Sequence, residues 1–216
     1  MANDADRVGH RSYEPGTPGF EKVVNAFGHD IVGKDGVIDR RVLGGKVFGA
    51  RSEMERLNNI LWPEIRRLIS EDLADLRRRD GDQIVVLEAA VLIEAGWQDL
   101  CNEIWVITTS MQTAIDRLMA RNGLTEEAAI ARINAQMSSR ERAEHAQVKV
   151  DNSGTEEQLR QRLERAWRTL TRLVCLVAGS KLVPIGVGAC RLVGTTADGS
   201  GTVTLAVGRG GTRLIH

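Results

Sequence analysis

Carboxylates and guanidinium groups are the side chains in this sequence best suited to chemistry. Asp4 and Asp6 stand two apart close to the first residue. In an extended segment such a pair points the same way, and at the carboxyl end of a strand it would face the crevice where open α/β sheets bind ligands. A carboxylate there can accept a hydroxyl proton or hold Mg²⁺ through water. A plainer role, which spacing alone favours, is also open to these residues, with Asp4 or Asn3 capping a helix. Glu88 follows the apolar run Ile84-Val85-Val86-Leu87, which places it at the carboxyl end of an expected strand, either as a group that organises magnesium or phosphate or as a solvated cap. Arg117, Arg121, Arg132, Arg140 and Arg142 are spread over a helix-turn-helix pattern that also holds Gln136. Guanidinium forks match phosphate oxygens, and a helical lid bearing them could close on a phosphoryl group in transfer. Charged helical hairpins are also ordinary solvated faces. Glu94 and Trp97 carry no assignable role by themselves.

The spacing of apolar residues predicts the scaffold that must hold these groups. Glu14-Pro15-Gly16-Thr17-Pro18-Gly19 is turn chemistry. A short helix is expected over Phe20 to Phe27, and another after Asp39, its N-cap, carrying Val42, Leu43 and Val47. From Ser52 to Arg79, Met54, Leu57, Ile60, Leu61, Ile65, Leu68, Ile69, Leu73 and Leu76 recur at helical spacing, with Pro63 expected to start a second helix. Ile84 to Leu87 and Ile104 to Thr108 read as strands buried on both faces of a parallel sheet. Helices are predicted between Met111 and Met119, within Arg121 to Met137, and over Glu156 to Leu173, with a weaker strand at Val148 to Asn152. Strands alternating with helices indicate an α/β doubly wound sheet.

Composition limits the classes of function. With 216 residues, 42% of them hydrophobic, the chain suits one main domain with an appendage. Lys plus Arg and Asp plus Glu both number 29, so no net field recruits nucleic acid or an anionic membrane, and any anion site must be local. Cys101, Cys175 and Cys190 form no CxxC pair, and the histidines lack metal-ligand spacing, so neither a disulfide framework nor a metal-ligating set is expected. Reducing cytoplasm is the simplest compartment. No stretch reaches the roughly 18 apolar residues of a membrane span, and the polar, acidic first residues are unlike a signal peptide. Residues 186 to 211 are rich in Gly and Thr, and Thr202-Val203-Thr204-Leu205-Ala206-Val207 alternates like a strand, so the tail is expected to be a β-hairpin or disordered.

Taken in order, Asp4-Ala5-Asp6, Tyr13-Glu14-Pro15-Gly16-Thr17-Pro18-Gly19, Ala26-Phe27-Gly28, Asp35-Gly36-Val37-Ile38-Asp39-Arg40, Leu92-Ile93-Glu94-Ala95-Gly96-Trp97, Arg121-Asn122-Gly123-Leu124-Thr125 and Asp151-Asn152-Ser153-Gly154 resemble the dephospho-coenzyme A kinase family. Ala89-Ala90-Val91-Leu92 and Trp62-Pro63 look most like the kinase half of bifunctional coenzyme A synthase. The resemblance implies an α/β P-loop kinase fold, with a parallel sheet, a helical lid and a substrate region, over residues 1–175, followed by an unassigned tail, 176–216. It implies ATP, Mg²⁺ and dephospho-coenzyme A as ligands, and phosphorylation of the ribose 3′-hydroxyl, the last step of coenzyme A synthesis. By position, Asp6 resembles the general base with Asp4 beside it, Arg142 and Arg121 resemble lid residues near the phosphates, and Asn152 resembles a residue beside the nucleotide base. Glu88 stands where most members have Asp.

The family begins with a strand and Gly-x-x-x-x-Gly-Lys-Ser/Thr, whose amides and lysine hold the β- and γ-phosphates. These 216 residues contain no such sequence. Gly44-Gly45-Lys46-Val47 lacks the spaced glycine and the hydroxyl, and Ala178-Gly179-Ser180-Lys181 has the wrong order. The expectation is a chain that starts one βα unit late, without its first strand and P-loop, with unpaired sheet edges and impaired phosphoryl transfer. A noncatalytic module that binds coenzyme A is the alternative.

Overall fold

The computed structural model describes residues 2–80, 84–178 and 204–209. Among the described residues it divides into two compact units, one formed mainly by residues 3–80 and the other by residues 86–178. A five-stranded sheet has the order β1 (Ala2–Asp4), β2 (Ile84–Ala89), β5 (Thr204–Arg209), β3 (Glu103–Thr108) and β4 (Val148–Asp151).

The first unit is mainly helical. A strand, β1 (Ala2–Asp4), precedes α1 (Ala5–Arg11) and ends on Asp4, where no strand was expected. In α2 (Pro18–Phe27), Pro18 lies in the first turn and the Thr17 hydroxyl caps the helix by accepting from the Phe20 N–H at 3.1 Å. The expected cap of α3 (Arg40–Val47) is present, since an Asp39 oxygen accepts from the N–H groups of Arg41 and Val42 at 2.8 and 3.4 Å.

Pro63 does not start a helix. It lies inside one continuous helix, α4 (Arg51–Asp80). An interior proline costs about 3 kcal/mol, and packing offsets that cost. Leu61 is buried, and Leu57, Ile60 and Ile65 pack beside it against Val23, Val24 and Phe27 of α2 and Leu43 and Val47 of α3.

In the second unit, β2 (Ile84–Ala89) runs two residues past Leu87 and alternates half-buried and buried positions, so it is covered on one face where two were expected. β3 (Glu103–Thr108) has its four central residues buried, as a strand covered on both faces does. Next come α5 (Met111–Asn122), ended by Gly123 at φ 65°, then α6 (Glu126–Asn134) and α7 (Ser139–Glu144). β4 (Val148–Asp151) pairs parallel with β3. α8 (Glu156–Ala178) runs beyond the expected Leu173 and packs on β4, with Leu159, Leu163 and Leu170 buried.

The described part of the tail is one strand, β5 (Thr204–Arg209). It lies between β2 and β3 and runs antiparallel to β3, with Glu103 opposite Val207 and Val106 opposite Thr204. The parallel β3–β4 pair is as expected, and β3 is paired on both sides, so it is not one of the unpaired sheet edges anticipated. A backbone that must satisfy its N–H and C=O groups recruits whichever strand can reach it. The rest of the 176–216 tail beyond Ala178 and outside β5 lies outside the described residues.

Candidate active site

The carboxyl ends of β3 and β4 are tied together by main-chain and hydroxyl bonds. Thr108 stands opposite Asp151, and the Asn152 N–H extends the ladder by donating to the Thr108 carbonyl at 2.7 Å. Beyond it, the Ser110 N–H donates to Ser153 Oγ at 2.8 Å, and the Thr109 hydroxyl donates to the Asn152 carbonyl at 3.4 Å. Asp151 closes the turn by accepting from the Ser153 N–H at 2.9 Å, and its carboxylate pairs with Arg162 at 2.8 Å. The hydrogen bonds from Ser153 first, and the Arg162 charge after them, hold the Asp151 carboxyl below the usual carboxylate range. From α5, Arg117 Nη2 donates to the Gly154 carbonyl at 3.2 Å. The turn carrying Asn152 is therefore fixed from both neighbouring elements, at the end of the sheet where such folds take ligands.

Glu88 is the penultimate residue of β2, half-buried and on the opposite face from buried Leu87 and Ala89. Its position is inside the strand's last residues, not just after them. Arg121 is exposed in the last turn of α5, where its Nε donates to Asn122 Oδ1 at 2.8 Å.

Arg142 is only 3% exposed. It lies on α7, a short helix held by a reciprocal cap in which Ser138 and Glu141 bond each other's groups. Arg142 Nε and Nη2 donate to Glu94 Oε1 at 3.0 and 2.6 Å, and Nη2 also reaches Gln136 Oε1 at 3.3 Å. Two of its nitrogens are thus occupied by this cluster. Sequence reasoning left Glu94 without a role. The signal was its place after Val91-Leu92-Ile93, where Leu92 and Ile93 are buried: a carboxylate in such company needs a cationic or donor partner.

Asp4 and Asp6 belong to the other unit. Asp4 is the last residue of β1 and Asp6 the second of α1, so the two do not share one extended segment as the spacing argument supposed.

Two glycine-lysine sequences resemble parts of a phosphate loop. Lys46 sits in α3, and its ammonium donates to the Phe27 carbonyl at 2.6 Å and to Asp30 at 2.8 Å, a structural use. Gly28-His29-Asp30-Ile31-Val32-Gly33-Lys34-Asp35 has the glycine and lysine spacing but Asp in place of the hydroxyl. It follows a helix, not a strand. Gly28 ends α2 at φ 95°, residues His29–Ile31 form a 3₁₀ turn, and the Gly33 N–H donates to the Val37 carbonyl at 2.8 Å beside a Val32–Ile38 bridge. That segment is a small hairpin.

Among the described residues, no three His, Cys, Asp or Glu side chains converge as a metal cage. Mg²⁺ in phosphoryl transfer is usually held by one or two carboxylates together with substrate phosphates, so a half-buried carboxylate such as Glu88 at a strand's carboxyl end is compatible with a nucleotide-borne ion.

The sequence model of the dephospho-CoA kinase family matches residues 2–158. A dephospho-CoA kinase of Geobacter sulfurreducens is 43% identical over 164 residues, 76% of this chain and 83% of that protein. One from Carboxydothermus hydrogenoformans is 40% identical over 160 residues, 74% of this chain and 77% of that protein. The solved dephospho-CoA kinase of Campylobacter jejuni is similar in fold, with a TM-score of 0.60 at 25% identity, covering 81% of this chain and 86% of that one.

Proposed function

The chain belongs to the dephospho-CoA kinase family, and from that premise we propose that its chemistry is ATP-dependent phosphorylation of the ribose 3′-hydroxyl of dephospho-CoA. The observation that carries this reading is the 43% identity to a dephospho-CoA kinase over 76% of the chain. The reading takes residues 1–175 as the kinase-like body and 176–216 as a tail without assigned function, in a cytoplasmic setting.

In this reading Asp6 accepts the hydroxyl proton and Asp4 supports it. Asn152, on its fixed turn, lies beside the base, and Arg121 and Arg142 lie near the phosphates. Glu88 contacts nucleotide-borne Mg²⁺. When bound with ATP, that ion supplies neutralisation of charge developing on the transferred group.

A weakened reaction is part of the proposal. The 216 residues hold no Gly-x-x-x-x-Gly-Lys-Ser/Thr sequence, and the two partial matches are built into a hairpin and into α3. Amide donors from such a loop provide much of the grip on the β- and γ-phosphates. That same observation favours the second reading, a noncatalytic module that binds the coenzyme A substrate.

Incubation with ATP, Mg²⁺ and dephospho-CoA tests both. Slow formation of the 3′-phosphate, abolished by Asp6→Asn, is the expected result. Turnover as fast as in an ordinary kinase of this family would overturn the impairment. Binding of dephospho-CoA without any turnover would favour the module.

A further inference from the structure

Glu94 lies in the turn that leaves β2 at its carboxyl end, the side on which open α/β sheets bind ligands. An arginine fork normally satisfies both oxygens of a carboxylate, one N–H to each. Here both Arg142 nitrogens converge on Oε1, and Oε2 is buried with no hydrogen-bond partner among the described residues. Gln136 turns its Oε1 toward Arg142 as an acceptor and gives Oε2 no hydrogen bond. A carboxylate oxygen removed from water and given no donor is costly, and native structures rarely leave one so.

We propose that Glu94 Oε2 is a ligand-binding acceptor, taking a hydrogen bond from a neutral O–H or N–H group on the adenosine portion of a bound nucleotide or of dephospho-CoA. This rests on the functional reading above. The charges narrow the class of donor. A phosphate is repelled by the carboxylate, and a cation is not required because Arg142, itself almost wholly buried, already balances Glu94. A ribose hydroxyl or an adenine amine meets both conditions. ATP and dephospho-CoA each carry these groups, so the ligand responsible is separated by experiment.

The full chain is titrated calorimetrically with dephospho-CoA and with ATP, then with analogues of each lacking the 2′-hydroxyl, the 3′-hydroxyl or the adenine amine. One analogue of one ligand is expected to bind about 10-fold or more weakly than its parent, the loss of a hydrogen bond to a charged acceptor. Glu94→Gln should erase that difference, since its carbonyl stays with Arg142 and its NH₂ then opposes the ligand's donor. If Glu94→Gln fails to fold, as circular dichroism would show, Glu94→Asp, which keeps the charge but withdraws the carboxylate by one methylene, should shrink the same difference, and an undiminished difference in that variant would overturn the proposal. If every analogue binds as its parent does, a buried water fills Oε2; the proposal is overturned while the kinase reading stands. If neither parent binds, the functional reading fails and this proposal falls with it.

Discussion

Arg142 and Glu94, 48 residues apart in sequence, form a pair in which Arg142 is almost wholly buried, Glu94 is half-buried, and two guanidinium nitrogens meet a single carboxylate oxygen. Removing Arg142 leaves a carboxylate with one oxygen shut off from water and no cation beside it. Arg142→Met should therefore destabilise the fold by about 3–5 kcal/mol, read as a lower urea midpoint at an unchanged slope. The double variant Arg142→Met/Glu94→Leu should recover much of that loss. If the single variant is as stable as the parent, the pair is not the buried contact described.

Gly19 is a second point of structural tension. A Cβ built there would lie 1.9 Å from the Ser12 carbonyl oxygen, a backbone atom in a segment where Ser12 is itself buried. Gly19→Ala should cost about 1–3 kcal/mol or more through forced backbone movement, despite alanine's better helix propensity. Gly45→Ala, in a helix with open space around the added atom, should be neutral or slightly stabilising. Equal melting temperatures for the two variants would contradict the close approach of α2 to Ser12.

Acid sensitivity follows from Glu64. Lys22 donates to it at 2.8 Å and Arg67 at 3.1 Å, and these bonds, Lys22 first, hold its carboxyl below the ordinary value of 4.5. The unfolded chain then binds this proton more readily than the native one. The contribution is fully present above pH about 4.5 and lost as pH falls through the lower native value. Lys22→Met should flatten the stability profile between about pH 5 and 3. An unchanged profile would show that the Lys22 bond does not hold the carboxylate in solution.

Cys101 should be inert. Burial first, and the nearby Asp99 charge after it, push its thiol up to about 12, so almost no thiolate exists near neutral pH. In a Cys175→Ser/Cys190→Ser background, disulfide exchange with Ellman's reagent at pH 8 should be slow until denaturant is added. Immediate reaction would contradict the burial.

The parts of the fold carried by local signals were legible in the sequence. Asp39 is a local cap, and the helical period of α4 and the apolar run of β3 need no distant partner to be recognised. What was missed depends on distant contacts. Pro63 stays within a helix because α2 and α3 pack against the residues around it. The alternation at Thr202 to Val207 suggests a strand, but nothing local reveals that β5 pairs antiparallel with β3, roughly a hundred residues earlier. The site followed the same division. Asn152 was singled out from its motif and lies on the turn after β4, while the partner of Arg142 was hidden because Glu94 reads as an isolated charge until the fold supplies its contact.

The central proposal is that these 216 residues bind dephospho-CoA and, holding no Gly-x-x-x-x-Gly-Lys-Ser/Thr sequence among them, bind ATP weakly. Calorimetry of the full chain with each ligand separately, ATP with Mg²⁺, tests it most directly. The account predicts a measurable isotherm for dephospho-CoA and a far weaker one for ATP. Tight ATP binding, or no binding of dephospho-CoA by folded protein, would contradict it.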